Sequence, residues 1–346
     1  MLVQVIKKLH GYRNIVVALE RTNHFENELE CDEYICLDKP GFLSLPAAVI
    51  ALRKLVKDRN IDLVHSHLPL SNFVARLGVP ASVPLVTTIH NSIATSGDYK
   101  KWFIRFLDRT TYRFRPSTMI FVSQNAQSDY FSVLKMKDTQ GVLLYNFVDI
   151  SLYPENKSYD PGEPDFKMVC VAALSRQKNL GFLIEGLGSI KDQAVSLDIF
   201  GKGELQSELQ DAIERNNAVV TLKGQVKNIN QLLPHYQLYV MSSLFEGFSL
   251  SVLEAMAAGL PLLLSDIPSF REQCGNNAIY FDLADRKDLE AKLLFIKNNR
   301  NLRIQMSESG RRYVAENFTI EKHIAGLIDI YNATLQNHKE LLLKPD

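Results

Sequence analysis

Glu246 and Glu254 stand eight residues apart in the segment Ser243–Pro261, which reads as a loop entering a helix. Phe245-Glu246-Gly247-Phe248 carries a glycine where the backbone must turn or come close to a ligand. Ser249 fits an N-cap, and Leu250, Val252, Leu253, Met256 and Ala257 follow at helical spacing. Gly259-Leu260-Pro261 stops the helix. A helix start offers free backbone N–H groups and the positive end of a dipole, which suits a phosphate. Carboxylates beside a phosphate would be repelled by it. They make better sense as acceptors for hydroxyl groups, a sugar at one end and a ribose at the other. The competing reading is a pair of solvated helix-end charges, common for glutamate in a first turn.

Other segments carry chemistry more weakly. Val171–Asn179 runs from a strand end through Arg176 and Lys178 into a helix. A buried strand needs no lysine at its exit, whereas a diphosphate does; an ordinary exposed basic loop is the alternative. Ile199–Leu205 is a strand, a Gly-x-Gly turn and a helix start, in which Gly201 serves either the turn or a close ligand approach. Thr87-Thr88-Ile89-His90 ends a strand and leaves His90 at the mouth of a cleft. His65 and His67 lie two apart and share one strand face. With no third ligand evident nearby they read as structural or cleft-lining rather than as a metal site. Within Tyr99–Arg115, Lys101, Arg105, Arg109 and Arg113 recur every four residues, with Trp102, Phe103, Phe106 and Leu107 on the neighbouring face. Such a helix could lie on an anionic membrane, or dock on its own sheet with solvated arginines.

These residues need strand ends and helix starts to hold them, and the patterning supplies both. Strand-like runs fall at Asn14–Leu19, Tyr34–Leu37, Leu63–His67, Leu85–His90, Met119–Val122 and Val142–Tyr145. They resume at Lys167–Ala172, Val195–Phe200, Val219–Leu222, Gln237–Met241, Pro261–Leu264 and Ala278–Phe281. Helical patterns such as Glu204–Arg215, Asp285–Asn298 and Ile320–Leu342 lie between and after them. Alternation of this kind gives parallel sheets covered on both faces. Three prolines, a glycine and several charges between Tyr153 and Pro164 read as a linker. The expected organisation is α/β: a Rossmann-like domain over 1–152, a linker over 153–165, a second Rossmann-like domain over 166–318, and a C-terminal helix over 319–346 packing back across the linker.

Composition limits the function classes. The 346 residues suit two domains, and 39 Lys+Arg balance 39 Asp+Glu, so no global charge points to nucleic acid. The four cysteines lack zinc or redox spacing. No secretory signal or spanning apolar run is visible, and the cytoplasm is the expected compartment. The sequence has no Asp-x-Asp, and no dinucleotide-type Gly-x-Gly-x-x-Gly after a strand.

The Glu-x7-Glu pair with its flanking Glu-Gly-Phe and Glu-Ala-Met-Ala-Ala-Gly-Leu-Pro resembles the signature of family-4 retaining glycosyltransferases. The resemblance implies the GT-B fold of two Rossmann-like domains, a UDP- or GDP-sugar donor, and a glycan or lipid-linked acceptor in surface polysaccharide synthesis. It implies neither metal nor further cofactor. Lys178 and Asn179 match the family's first loop of the second domain, but Ala173 occupies its arginine position; Arg176 could reach the same charge. Gly201 matches a Gly-x-Gly turn near the donor, and Gly224 and Val226 lie where the family lines the base slot with backbone. His90 matches a Thr-x-His position near the reacting sugar, and Val122-Ser123-Gln124 and Tyr145–Asp149 match more loosely. The implied assignment places His90, Glu246 and Lys178 in catalysis, with Arg176, Gly201, Gly224, Val226, Gly247, Phe248, Ser249, Leu250, Ser251 and Glu254 around the donor. Lys178 and the N–H groups near Ser249–Ser251 take the departing diphosphate. A nucleotide-sugar epimerase of the same fold and a weakly active binding subunit remain as alternatives.

The beginning of the chain departs from that pattern. Met1–Leu9 reads as the tail of the family's first helix and Asn14–Leu19 as its second strand, so the first strand is missing. In a doubly wound sheet that strand is central. Asn14–Leu19 and Leu63–His67 should then either close up and pair directly, or lack the partner that joins them in a longer natural chain in which Met1 is internal.

Overall fold

The computed structural model describes residues 1–22, 28–93, 99, 101–136, 141–153 and 166–343, apart from the side chain of Leu342. The linker expected over 153–165 therefore lies almost wholly outside the described residues. The chain divides into two compact units, Met1–Asn146 with Ile320–Asp346, and Phe147–Thr319.

The first unit opens on a short helix, Leu2–Lys8, followed by strands β1 (Ile15–Ala18) and β2 (Glu33–Cys36). Strands β3 (Val64–His67), β4 (Leu85–Ile89), β5 (Thr118–Phe121) and β6 (Gly141–Leu143) complete it. β1 and β2 form a parallel pair of their own, and β3-β4-β5-β6 form a separate parallel sheet in that order. Among the described residues no ladder joins β1 to β3, so the two strands do not close up and pair. Helices cover the larger sheet because its strands carry apolar side chains on both faces: Val86, Met119 and Phe121 are fully buried.

One side of that core holds a charge. Asp108, on the helix Trp102–Phe114, is buried against Arg76 of the helix Pro69–Gly78. The Tyr99 and Tyr130 hydroxyls donate to the same carboxylate at 2.5 and 2.9 Å. A buried carboxylate is tolerated only with such partners. The arrangement turns Ile104, Asp108 and Thr111 inward and leaves Trp102 and Phe106 75% and 62% exposed. The last helix, Ile320–Leu343, belongs to this unit; its Thr334 and His323 reach Thr118 Oγ1 at 3.0 Å and the Tyr145 carbonyl at 2.8 Å.

The second unit is a six-stranded parallel sheet. Its strands are β7 (Phe166–Val171), β8 (Val195–Phe200), β9 (Val220–Gly224), β10 (Leu238–Met241), β11 (Leu262–Ser265) and β12 (Ile279–Phe281), in the order β12-β11-β10-β7-β8-β9. The central strands are buried along their length: Met168, Val169, Cys170 and Leu238 through Met241 are all but inaccessible. The order runs outward from β7 to β9, then returns to β10 on the other side. The loops leaving β7 and β10 thus diverge at a topological switch point, where an open parallel sheet presents a crevice at its carboxyl ends.

Candidate functional site

Lys178 and Glu246 stand on those two loops. Gln177 ties the loops together, since its carbonyl accepts from Leu244 N at 2.9 Å and its amide donates to the Phe245 carbonyl at 2.9 Å. Ser242 Oγ adds hydrogen bonds to the Lys178 and Asn179 carbonyls, both 2.9 Å. Asn179 takes the left-handed conformation (φ 50°), which asparagine adopts more readily than most side chains. The result brings Lys178 Nζ to 2.5 Å from Glu246 Oε1, with Ser243 Oγ donating to the same oxygen at 2.6 Å. The sequence motifs assign the lysine and the glutamate separate tasks; in the structure they form one nearly buried ion pair, neutral as a unit.

The helix Leu250–Ala257 begins just beyond. Ser249 is the N-cap by position, but its side chain makes no capping bond. Its backbone is held instead by the buried Gln273, whose Oε1 accepts from Ser249 N at 2.9 Å and whose Nε2 donates to Ser249 O at 2.7 Å. Ser251 Oγ accepts from the buried Tyr239 hydroxyl at 2.8 Å and lies 3.3 Å from Ser249 Oγ. Neither serine satisfies the first-turn N–H groups, so these keep their capacity for an anion. The helix ends at Gly259, whose φ of 70° and bond from N to the Met256 carbonyl (2.9 Å) form the expected left-handed stop.

Glu254, one turn in, is half-buried, and its carboxyl makes no hydrogen bond or ion pair among the described residues. Burial raises its carboxyl to about 7. The Tyr153 phenol is raised as well, by its own burial and then by the charge of Glu254. A carboxyl held from water without a partner is costly unless a ligand supplies hydroxyl groups.

The other predicted donor contacts divide. A Cβ on Gly201 (φ 150°) would lie 1.9 Å from the Ala172 carbonyl oxygen, and one on Gly203 would lie 2.3 Å from that of Leu174. These glycines let two loops pack backbone to backbone, which favours the structural reading of Gly201. Gly224 (φ 73°) has open space around it, and Val226 is half-buried. The Phe248 ring packs edge-on against Phe318 at 5.2 Å, so only its backbone remains for a ligand. Gly247 is buried and Leu250 exposed. Arg176 is exposed, and its guanidinium makes no ion pair or hydrogen bond among the described residues.

In the first unit His90 is not alone. His67 Nδ1 lies 3.1 Å from His90 Nε2, and the His65 and His67 ring centroids are 4.2 Å apart with the planes tilted by 34°. His65 is fixed at both nitrogens, by the Tyr331 hydroxyl and Thr88 Oγ1, each at 2.7 Å. Burial first, then the neighbouring imidazoles, lowers His67 to about 3, and burial then His323 lowers His90 to about 4. Both are neutral at physiological pH, so His90 can exchange a hydrogen bond with a hydroxyl but carries no charge. On the helix Trp102–Phe114 the expected basic stripe is partly occupied, because Arg105 Nε donates to the Tyr99 carbonyl. Lys101 and Arg113 remain exposed beside Trp102, Phe103 and Phe106.

Gln177, Ser243, Gln273 and Tyr331 were not identified from sequence. Gln273 acts 24 residues from Ser249, and Tyr331 acts 266 residues from His65, so no local pattern marks them. Two family models match the chain: "Glycosyltransferase Family 4" over residues 2–152 and "Glycosyl transferases group 1" over residues 165–299. An uncharacterised glycosyltransferase of Methanocaldococcus jannaschii is 24% identical over 289 residues, 81% of this chain and 77% of that protein. The UDP-Gal:alpha-D-GlcNAc-diphosphoundecaprenol alpha-1,3-galactosyltransferase of Escherichia coli is 26% identical over 315 residues, 82% and 78% of the two chains. Among solved structures, Anabaena HepE in complex with UDP and glucose superposes with a TM-score of 0.80 at 19% identity, covering 96% of this chain and 94% of that one.

Proposed function

This chain belongs to the group 1 and family 4 glycosyltransferases, with the GT-B fold, and we propose that it moves a sugar from a UDP- or GDP-sugar to a glycan or lipid-linked acceptor with retention at the anomeric carbon. The observation that carries this reading is the Lys178–Glu246 pair beside an uncapped helix start at the switch point of the second unit. An arriving diphosphate competes for the Lys178 ammonium and takes the free N–H groups at Leu250 and Ser251. Glu246, released from its cation, accepts from donor-sugar hydroxyls, and Glu254 accepts from the ribose. Arg176 adds charge from the loop, the backbone at Gly224 and Val226 borders the base, and His90 serves the reacting sugar.

In the transfer, the bond from the anomeric carbon to the diphosphate oxygen breaks and a bond to the acceptor oxygen forms. The acceptor proton leaves with the nucleoside diphosphate, whose charge Lys178 and the helix N–H groups stabilise. Fixed donors of this kind do the work of a cation, so activity is expected to survive EDTA. The names of the relatives support the donor and acceptor classes: the E. coli enzyme is named for UDP-galactose and a diphosphoundecaprenol-linked sugar, and HepE binds UDP and glucose. An acceptor of that kind lies in a membrane, where Trp102, Phe106 and the basic residues of 99–115 would make a peripheral contact at its inner face.

The test incubates the purified protein with a panel of UDP- and GDP-sugars and a diphosphoundecaprenol-linked sugar, with and without EDTA, and reads the product by mass spectrometry and proton NMR. Transfer in EDTA with the donor's anomeric configuration kept is the expected result. An inverted product removes retention, loss in EDTA with rescue by magnesium removes metal independence, and turnover without acceptor favours an epimerase.

A further inference from the structure

We infer that His67 is a positioning residue for His90, an inference that rests on the reading of His90 as a residue facing the donor sugar. The register of β3 and β4 sets His67 beside Thr88, and His90 follows two residues later at the end of the same strand. The two rings meet edge to edge, Nδ1 to Nε2 at 3.1 Å. Both imidazoles are neutral, so one nitrogen donates and the other accepts, and the tautomer of one ring dictates that of the other. With Nε2 engaged, His90 has only Nδ1 left for a substrate hydroxyl.

His67 is itself held. Its ring lies on His65 at 4.2 Å between centroids, and His65 cannot turn without losing Tyr331 or Thr88. The three rings therefore form a row anchored on the last helix and on β4, ending in His90, whose Nδ1 makes no hydrogen bond among the described residues. The spacing of His65 and His67 on one strand face fits structural or cleft-lining histidines. Their hydrogen bonds give His65 the role of an anchor and His67 that of a guide.

The test compares His67→Asn with His67→Leu. An asparagine amide falls near the position of Nδ1 and can keep the bond to His90; leucine fills the space without it. His90→Ala serves as the reference, and all variants are measured for cooperative melting, kcat and donor KM, with ring nitrogen-15 spectra of His90. His67→Leu is expected to lower kcat roughly 10- to 100-fold, the scale of a misoriented group, with donor KM changed less than about threefold. His67→Asn is expected to recover most of the rate. In a His90→Ala background His67→Leu should cost nothing further, and in the single His67→Leu variant the His90 spectrum should shift to a mixture of tautomers. An unchanged His90 spectrum and unchanged kcat in His67→Leu would overturn the inference, as would an asparagine variant no better than leucine. Should the leucine variant fail to fold, His67→Gln, whose amide reaches past the Nδ1 position, makes the same comparison. If His90→Ala retains full activity while the His90 spectrum still responds to residue 67, the role of His90 fails and the positioning stands.

Discussion

In the proposed donor site, Glu254 would tie donor binding to pH. Its carboxyl sits at about 7 because burial withholds water from it, so near neutrality the free protein holds it partly protonated. Ribose hydroxyls bond best to the carboxylate and would lower its pKa on binding. Donor affinity is therefore expected to rise from pH 6 to pH 8, with proton release on binding at pH 7, visible in calorimetry as a dependence on buffer ionisation heat. The stability sign is opposite. A raised carboxyl pKa costs stability above about 7, and the cost fades as pH falls toward the ordinary carboxylate range. Glu254→Gln should thus melt higher than the parent at pH 8 while binding donor more weakly by about 1.5–3 kcal/mol, the scale for hydrogen bonds to a charged group. Donor affinity unchanged in Glu254→Gln would remove the ribose role. At this scale the placement of Glu246, Glu254 and Lys178 was legible because each sits in a local pattern of strand exit, turn and helix start. The Lys178–Glu246 bond and the Gln273 clamp were not, because partners 68 and 24 residues apart share no local signal.

The elements were legible almost completely. All twelve strand-like runs appear within one or two residues of their expected ends, because buried parallel strands write themselves as short apolar runs between helical patterns. What pattern does not encode is pairing, and the break between β1–β2 and β3–β6 shows it. Both strands of the isolated pair are only partly buried. Their amides are expected to exchange with deuterium through local opening, well ahead of those of β7 and β8; equal protection would contradict this. The inward face of Trp102–Phe114 was also hidden, since an aspartate on a buried face is intelligible only once Arg76 and two tyrosines meet it. Asp108→Ala should cost about 3–5 kcal/mol by leaving Arg76 buried and unpaired. Trp102→Ser with Phe106→Ser should leave the melting temperature near that of the parent but reduce sedimentation with anionic vesicles. Undiminished sedimentation would remove the membrane contact. The glycines give a paired test in the second unit. Gly201→Ala meets the Ala172 carbonyl at 1.9 Å and should destabilise by at least about 2 kcal/mol. Gly181→Ala, in open space on a helix, should stabilise by about 0.4–1 kcal/mol.

At the scale of the molecule, the chain is two α/β units of different chemistry. The second unit offers a cation, an uncapped helix start and two carboxylates of different character, one paired and one held near neutrality. The first offers neutral histidines ordered by hydrogen bonds. Among the described residues no helix is long and apolar enough to cross a membrane. Two-unit organisation was legible from the proline-rich break and the doubled strand–helix alternation; the anchoring of the last helix on β3 and β5 side chains was not, since it joins residues more than two hundred positions apart. Release of nucleoside diphosphate tests the central claim most directly. It is measured across UDP- and GDP-sugars, with a diphosphoundecaprenol-linked sugar as acceptor, for the parent protein and for Lys178→Ala. The account predicts acceptor-dependent release from at least one donor, with kcat falling about 10²- to 10³-fold in Lys178→Ala, the scale for removing one preorganised donor from a developing negative charge. Release from no donor in the panel, or release undiminished by Lys178→Ala, would contradict it.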